Sequence, residues 1–245
     1  MFGWRARIGV LVPPGNPTVE PEFYQMAPEG VTIHCARLQG FRAASTPGAA
    51  EGMAARTLAY LDELHGPAKT LGSVSPSVVI LAHTASSYAT GFANESQLIE
   101  RLASLTGTTA ITAARAVLAG LQHLGVKKLA LGTPYPETIS AQGRVFWEAA
   151  GFNIVGYHRL ADVQNIYAEN EERAYQLARQ ANTPDAEAVL LSGTGLPTVR
   201  VLDTLEQDLK KPVLSSNQAS LWLALRLAGV RQAITGFGSL LRAIA

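Results

Sequence analysis

The sequence predicts an α/β fold of two pseudo-symmetric lobes, each a mainly parallel sheet flanked by helices, over 245 residues. Three observations lead there. Short apolar runs alternate with longer amphipathic stretches, the second half of the chain repeats the motif order of the first, and no linker, low-complexity tract or charge block interrupts the alternation. Apolar runs bounded by turn signals read as strands buried on both faces, and their alternation with helical spacing is the mark of βαβ units. With 47% hydrophobic residues the chain can fill real cores.

The strands expected in order are Arg7 to Val12 (RIGVLV), Ser77 to Ala82 (SVVILA), Lys128 to Gly132 (KLALG) and Ala188 to Ser192 (AVLLS). Helical spacing runs over Asn94 to Leu105, Ala114 to Leu124, Ile139 to Ala150, Asn170 to Ala181 and Ser220 to Leu227. RIGVLVPPG from Arg7 is echoed by KLALGTPYP from Lys128, with Pro13 matching Pro134. VVILAHTAS from Val78 matches AVLLSGTGL from Ala188, which pairs His83 with Gly193 and Thr84 with Thr194. The stretch from Leu105 to Val126 matches that from Leu209 to Val230 over 22 positions, both ending in Gly-Val. Three pairings in one order imply an internal duplication. The expected lobes are residues 1–115 with 215–245, and residues 116–214, with the last helix returning to the first lobe and the substrate between the two.

Composition narrows the partners. Twenty Lys and Arg against 19 Asp and Glu leave a net charge of +1, without the basic clusters that nucleic acid or an anionic membrane surface needs. The expected partner is a small carboxylic acid; a homo-oligomer is compatible with the sequence. Cys35 is the only cysteine, which rules out an intrachain disulfide and suits the cytoplasm. The apolar run at the N-terminus stops at Pro13 and Pro14, too short for a signal peptide core or a membrane span. No pair of histidines has metal-ligand spacing, and neither a metal nor another cofactor is expected.

In open parallel sheets ligands bind beyond the carboxyl ends of the strands. The loops that converge there, Pro13 to Thr18, His83 to Tyr88, Thr133 to Thr138, Gly193 to Thr198 and Ser215 to Gln218, are rich in hydroxyls, amides and glycine and almost free of charge. Hydroxyls and backbone N–H groups can hold a carboxylate without a lysine. Pro14, Asn16, Thr84, Ser86, Tyr135, Gly193, Thr194 and Asn217 are the candidate binding residues, and His83 and Tyr135 the candidate catalytic ones. Asn16 is either a turn former or a ligand contact, and Tyr135 either packs its loop or donates its phenol. His83 is either a hydrogen-bonded structural residue or the proton-transfer group of the site, being the side chain there that titrates near neutrality. Surface or capping roles suit Glu20 and Glu22 best. The Gly-Lys-Ser/Thr ending of a phosphate loop is missing after Gly193, and there is no G-x-S-x-G elbow.

GVLVPP at Gly9, LALGTPY, LLSGTGLPT, SSNQASLW and the RLAGV ending at Val230 together resemble the Asp/Glu racemase superfamily, on the branch of arylmalonate decarboxylases, maleate isomerases and ectoine-utilisation proteins. That resemblance implies a substrate between two pseudo-twofold lobes, one carboxylate held by groups such as Thr84, Ser86, Tyr135 and the backbone at Gly193 and Thr194. It also implies reactive cysteines, one per lobe, at the positions matched here by His83 and Gly193. Racemases use both, maleate isomerases use one as a nucleophile, and arylmalonate decarboxylases keep the second-lobe thiol as proton donor. This chain has neither, and Cys35 lies in an early strand far from both positions. What remains is a dioxyanion cradle and one acid/base group. The first expectation is therefore a cofactor-independent lyase acting on a malonate-like acid, with His83 as proton donor to an enediolate. A cysteine at position 193 would place a second donor on the other face. The alternatives are an isomerase or hydrolase of a small unsaturated acid, amide or lactone, and a non-catalytic carboxylate-binding protein.

Overall fold

A computed structural model of the chain describes residues 2–40 and 46–244; the expected lobe limits at residues 1 and 245 lie outside them. The first half runs β1 (Ala6–Val12), α1 (Val19–Met26), β2 (Val31–Arg37), α2 (Met53–Asp62), α3 (His65–Gly72), β3 (Val78–Leu81), α4 (Thr84–Thr90), α5 (Glu95–Thr106), β4 (Ala110–Thr112) and α6 (Ala113–His123). The second runs β5 (Lys128–Thr133), α7 (Glu137–Ala149), β6 (Asn153–Arg159), α8 (Glu171–Ala181), β7 (Ala188–Leu191), α9 (Leu202–Leu209), β8 (Val213–Ser215), α10 (Ser216–Leu227) and α11 (Ser239–Arg242). No helix among the described residues is long and apolar enough to cross a membrane.

The strands form two separate four-stranded sheets, ordered β2-β1-β3-β4 and β6-β5-β7-β8, with every pairing parallel. Under the repeat in the sequence β1 corresponds to β5 and β3 to β7, and the two central pairs share a register: Ile8 faces Val78 as Leu129 faces Ala188. The duplication is thus realised as two copies of one topology. One repeat pairing slips by a residue. The sequence match sets Thr112 against Ser216, whereas the residues that cap α6 and α10 with their side chains are Thr112 and Ser215. The helix α10 is one residue longer than α6, which restores the match at the Gly-Val ends.

Alternation along β1 shows how the core is divided. Ile8, Val10 and Val12 point into a core shared by both sheets, while Leu11 joins a second cluster with Leu71, Val79, Leu81 and Leu102 under α3 and α5. Across the middle, α10 packs lengthwise on α6 and also meets α1 and β3. The carboxyl ends of β1, β3, β5 and β7 are thereby turned toward a common seam between the lobes. In each all-parallel sheet the strand order reverses between the two central strands, the usual place for a ligand in an open parallel sheet.

Candidate active site

His83 follows β3 after Ala82 and stands at the N-cap of α4 with extended backbone, its φ and ψ being −146° and 93°. The buried strand VVIL carries it inward, and it is 5% exposed. Its Nδ1 lies 2.8 Å from the hydroxyl of Ser86, one turn along α4, so Nε2 is the nitrogen left for a substrate. The ring sits edge-on against Tyr60 at 5.3 Å. Burial, and then the positive charge of Arg56, push its pKa down to about 4, and the imidazole is neutral at pH 7.

Arg56, Tyr60, Thr57 and Gly48 from the first half and Tyr167 from the second enclose, with His83, a narrow cavity of about 10 Å³. That is room for roughly one water molecule. Its roof joins the lobes: Ala50 N–H donates to Gln164 O at 2.8 Å, Ile166 N–H to Gly48 O at 2.9 Å, and the Asn165 amide to Pro47 O at 3.1 Å.

Arg56 escapes sequence reading. It is 4% exposed on α2, donating to the carbonyls of Glu51 and Ala49, and nothing in AARTLAYL separates a buried guanidinium from a solvated one. It brings a charge beside His83 from α2, outside the loops that were expected to be almost free of charge.

Several of the expected binding residues hydrogen-bond within the protein. The Thr84 hydroxyl donates to Ser216 Oγ at 3.0 Å, and Gly193 N–H donates to the same oxygen at 3.0 Å. Ser216, unremarked in the sequence, therefore ties the two lobes together at the cradle. Burial holds the pKa of the Tyr135 phenol well above the usual value, which makes it a neutral donor. Ser86, expected on the carboxylate, also orients His83. The Thr194 hydroxyl donates across the seam to Ala82 O at 2.8 Å.

Asn16 is buried, and its Oδ1 accepts from the N–H groups of Thr18 and Val19 at 2.8 and 3.1 Å, ahead of α1. Its Nδ2 is buried without a partner among the described residues. Pro14 is half-buried beside it. Asn217 donates to Glu22 at 2.6 Å and to Thr194 O at 3.1 Å, leaving its Oδ1 without a partner among the described residues. Glu22 is not on the surface. It is 5% exposed and accepts from the N–H groups of Thr198 and Val199 at 2.5 and 2.9 Å, pinning the loop after β7 to α1. Glu20 does pair with Arg37 at the surface.

The sequence profile of one family, arylmalonate decarboxylase, matches residues 8–241. The chain belongs to the arylmalonate decarboxylase family. An arylmalonate decarboxylase of Bordetella bronchiseptica is 31% identical over 192 residues, covering 74% of this chain and 78% of that protein. A maleate isomerase of Nocardia farcinica is 27% identical over 249 residues, covering 96% and 95%. Among solved structures, a liganded double mutant of arylmalonate decarboxylase superposes with a TM-score of 0.84 at 27% identity over 96% of this chain and 98% of that one. A Nocardia farcinica maleate cis-trans isomerase with a covalently bound succinylcysteine intermediate superposes with a TM-score of 0.85 at 24% identity, covering 97% and 98%. The relatives and the fold agree, and this member of the family is an enzyme of the lyase and isomerase branch of the Asp/Glu racemase superfamily.

Neither His83 nor Gly193, the positions at which the resemblance implies thiols, is a cysteine. Cys35 is half-buried in β2, where desolvation and Glu20 push its pKa up to about 12. A thiol so held is a poor nucleophile. Alkylating reagents and Cys35→Ala are therefore expected to leave turnover within about twofold of wild type, measured on any accepted substrate; complete inactivation would move the active site to β2. Nor does position 193 welcome a cysteine. Gly193 has φ +119°, and a Cβ there would lie 3.1 Å from both Tyr135 Oη and Pro134 Cγ. A second proton donor at this place costs backbone strain and displaces Tyr135.

Proposed function

We propose that this enzyme is a cofactor-independent decarboxylase of a small malonate-like acid, working through an enediolate with His83 carrying the proton. The observation that carries the reading is the buried His83, fixed through Nδ1 by Ser86 and facing the inter-lobe cavity with its other nitrogen. The chain's relatives include an arylmalonate decarboxylase, which supports a malonate-type substrate.

The depressed pKa of His83 suits a shuttle. A half-ionised diacid brings one proton on the carboxyl group that will leave. Neutral Nε2 accepts that proton, the C–C bond breaks to release CO₂, and its electron pair passes into the retained carboxylate. The resulting enediolate lies on the Tyr135 phenol and the Thr84 and Gly193 donors, freed from Ser216 by the incoming oxygens. The imidazolium then returns the proton to the α-carbon, giving a monoacid.

A second reading draws on the same neutral imidazole. His83 as a base could activate water against an unsaturated acid, amide or lactone, or assist an isomerisation, and maleate isomerases stand among the relatives. Product analysis separates the two. Methylmalonate, phenylmalonate and maleate are incubated in D₂O and followed by NMR and CO₂ release. Stoichiometric CO₂ with one deuterium at the α-carbon is the expected result; fumarate, or a hydrated product without CO₂, refutes decarboxylation. Because the free enzyme must hold His83 neutral and the substrate must keep one proton, kcat/KM is expected to be bell-shaped, falling below about pH 4 as acid protonates the ring and falling again above the second ionisation of the diacid.

A further inference from the structure

We propose that Tyr88 is a positioning residue: through Ser192 it sets the Gly193 N–H of the second lobe against the Thr84 end of α4, and so aligns the donors that receive the enediolate. The proposal rests on the reading above that the enediolate forms at Thr84, Tyr135 and Gly193.

Tyr88 stands in α4, the short helix with His83 at its N-cap and Thr84 as its first residue. The proton carrier and one hydroxyl of the cradle therefore ride on the element that Tyr88 anchors. Its ring is 3% exposed and packs on α7 of the second lobe, its centroid 5.5 Å from that of Phe146 and 6.4 Å from that of Trp147. The seating is close enough to need a glycine, because a Cβ at Gly143 would lie 2.6 Å from the ring.

The phenol oxygen accepts from Trp147 Nε1 at 2.8 Å and shares a 2.6 Å hydrogen bond with Ser192 Oγ. An indole N–H can only donate, so α7 fixes the phenol oxygen and the phenol in turn fixes Ser192. Ser192 is wholly buried and directly precedes Gly193. Gly193 has φ +119°, a conformation that glycine enters freely and leaves as freely, so its neighbours must hold its N–H in place. The Tyr88 ring also stands edge-on to Tyr135 at 6.3 Å, and one side chain thus steadies both second-lobe donors. Donors set in advance on a developing oxyanion act most strongly in the transition state, where a misplacement of about 1 Å can cost about 10²-fold.

Propionate and the preformed nitronate of nitroethane are the probes. The nitronate is isoelectronic with the enediolate of propionate and carries the same planar pair of oxygens. In calorimetric titrations in mildly alkaline buffer, where the nitronate persists, wild type is expected to bind it at least about 10²-fold more tightly than propionate. Tyr88→Phe keeps the ring and removes the hydrogen bonds; it should weaken nitronate binding about 10-fold and leave propionate within about twofold. Ser192→Ala should do the same, and the double variant should be no weaker than either single one, because both act through one bond. Should Tyr88→Phe fail to fold, Ser192→Ala decides. Undiminished nitronate binding, equal losses for the two probes, or additive losses in the double variant each overturn the proposal while leaving the cradle intact. A wild type that does not prefer the nitronate, or binds neither probe, overturns the cradle and the proposal together.

Discussion

His83→Ala is expected to lower kcat by about 10²–10⁴-fold, the usual worth of a positioned acid or base, while substrate affinity changes far less. The reason is geometric. Removing the imidazole takes away the group bonded to Ser86 but leaves Thr84, Ser216, Tyr135 and the Gly193 N–H in place. Product configuration adds a second readout. A flat enediolate protonated from the His83 side gives one enantiomer from a prochiral malonate, whereas the slow residual reaction of the variant takes its proton from solvent and loses that bias. Chiral analysis in D₂O beside a binding titration measures both. Normal turnover in His83→Ala would place the proton donor elsewhere and end this mechanism.

Glu22→Ala carries the largest expected loss of stability. The carboxylate accepts from two backbone N–H groups of the loop after β7 and from the Asn217 amide, all in the interior. Truncation strands these donors, at about 1–3 kcal/mol for each that water does not reach, and a total of roughly 2–4 kcal/mol is expected. For a chain of this size that is about 5–15 °C in thermal midpoint. The pH dependence has a definite sign. Burial raises the Glu22 pKa above its ordinary 4.5, so its contribution is greatest in acid and is lost as the pH rises through the raised value. The gap between wild type and variant should narrow from acid toward neutral pH. Urea titrations at several pH values test this, and a variant as stable as wild type would show that the loop is held by other contacts.

Much of this enzyme is determined by its sequence alone. Buried parallel strands announce themselves as apolar runs because both of their faces are covered, and the order of β1, β3, β5 and β7 follows from RIGVLV, SVVILA, KLALG and AVLLS. The repeat sets the two sheets in the same order because similar segments have the same faces to bury. His83 stands at a strand's carboxyl end, which is where such sheets bind ligands, and the lone Cys35 sits inside another strand. These readings depend on periodicity and on neighbours a few residues away. Tertiary structure alone decided the charges and the partners. Arg56 and Glu22 lie on helices whose patterns look like ordinary amphipathic surfaces, and only the packing of α2 over the His83 cavity, and of α1 against the loop after β7, makes them buried. Ser216 serves Gly193 and Thr84 because α10 crosses back between the sheets. The physical reason is that burial of a polar group is a property of the space around it, and residues from four or five distant segments make that space.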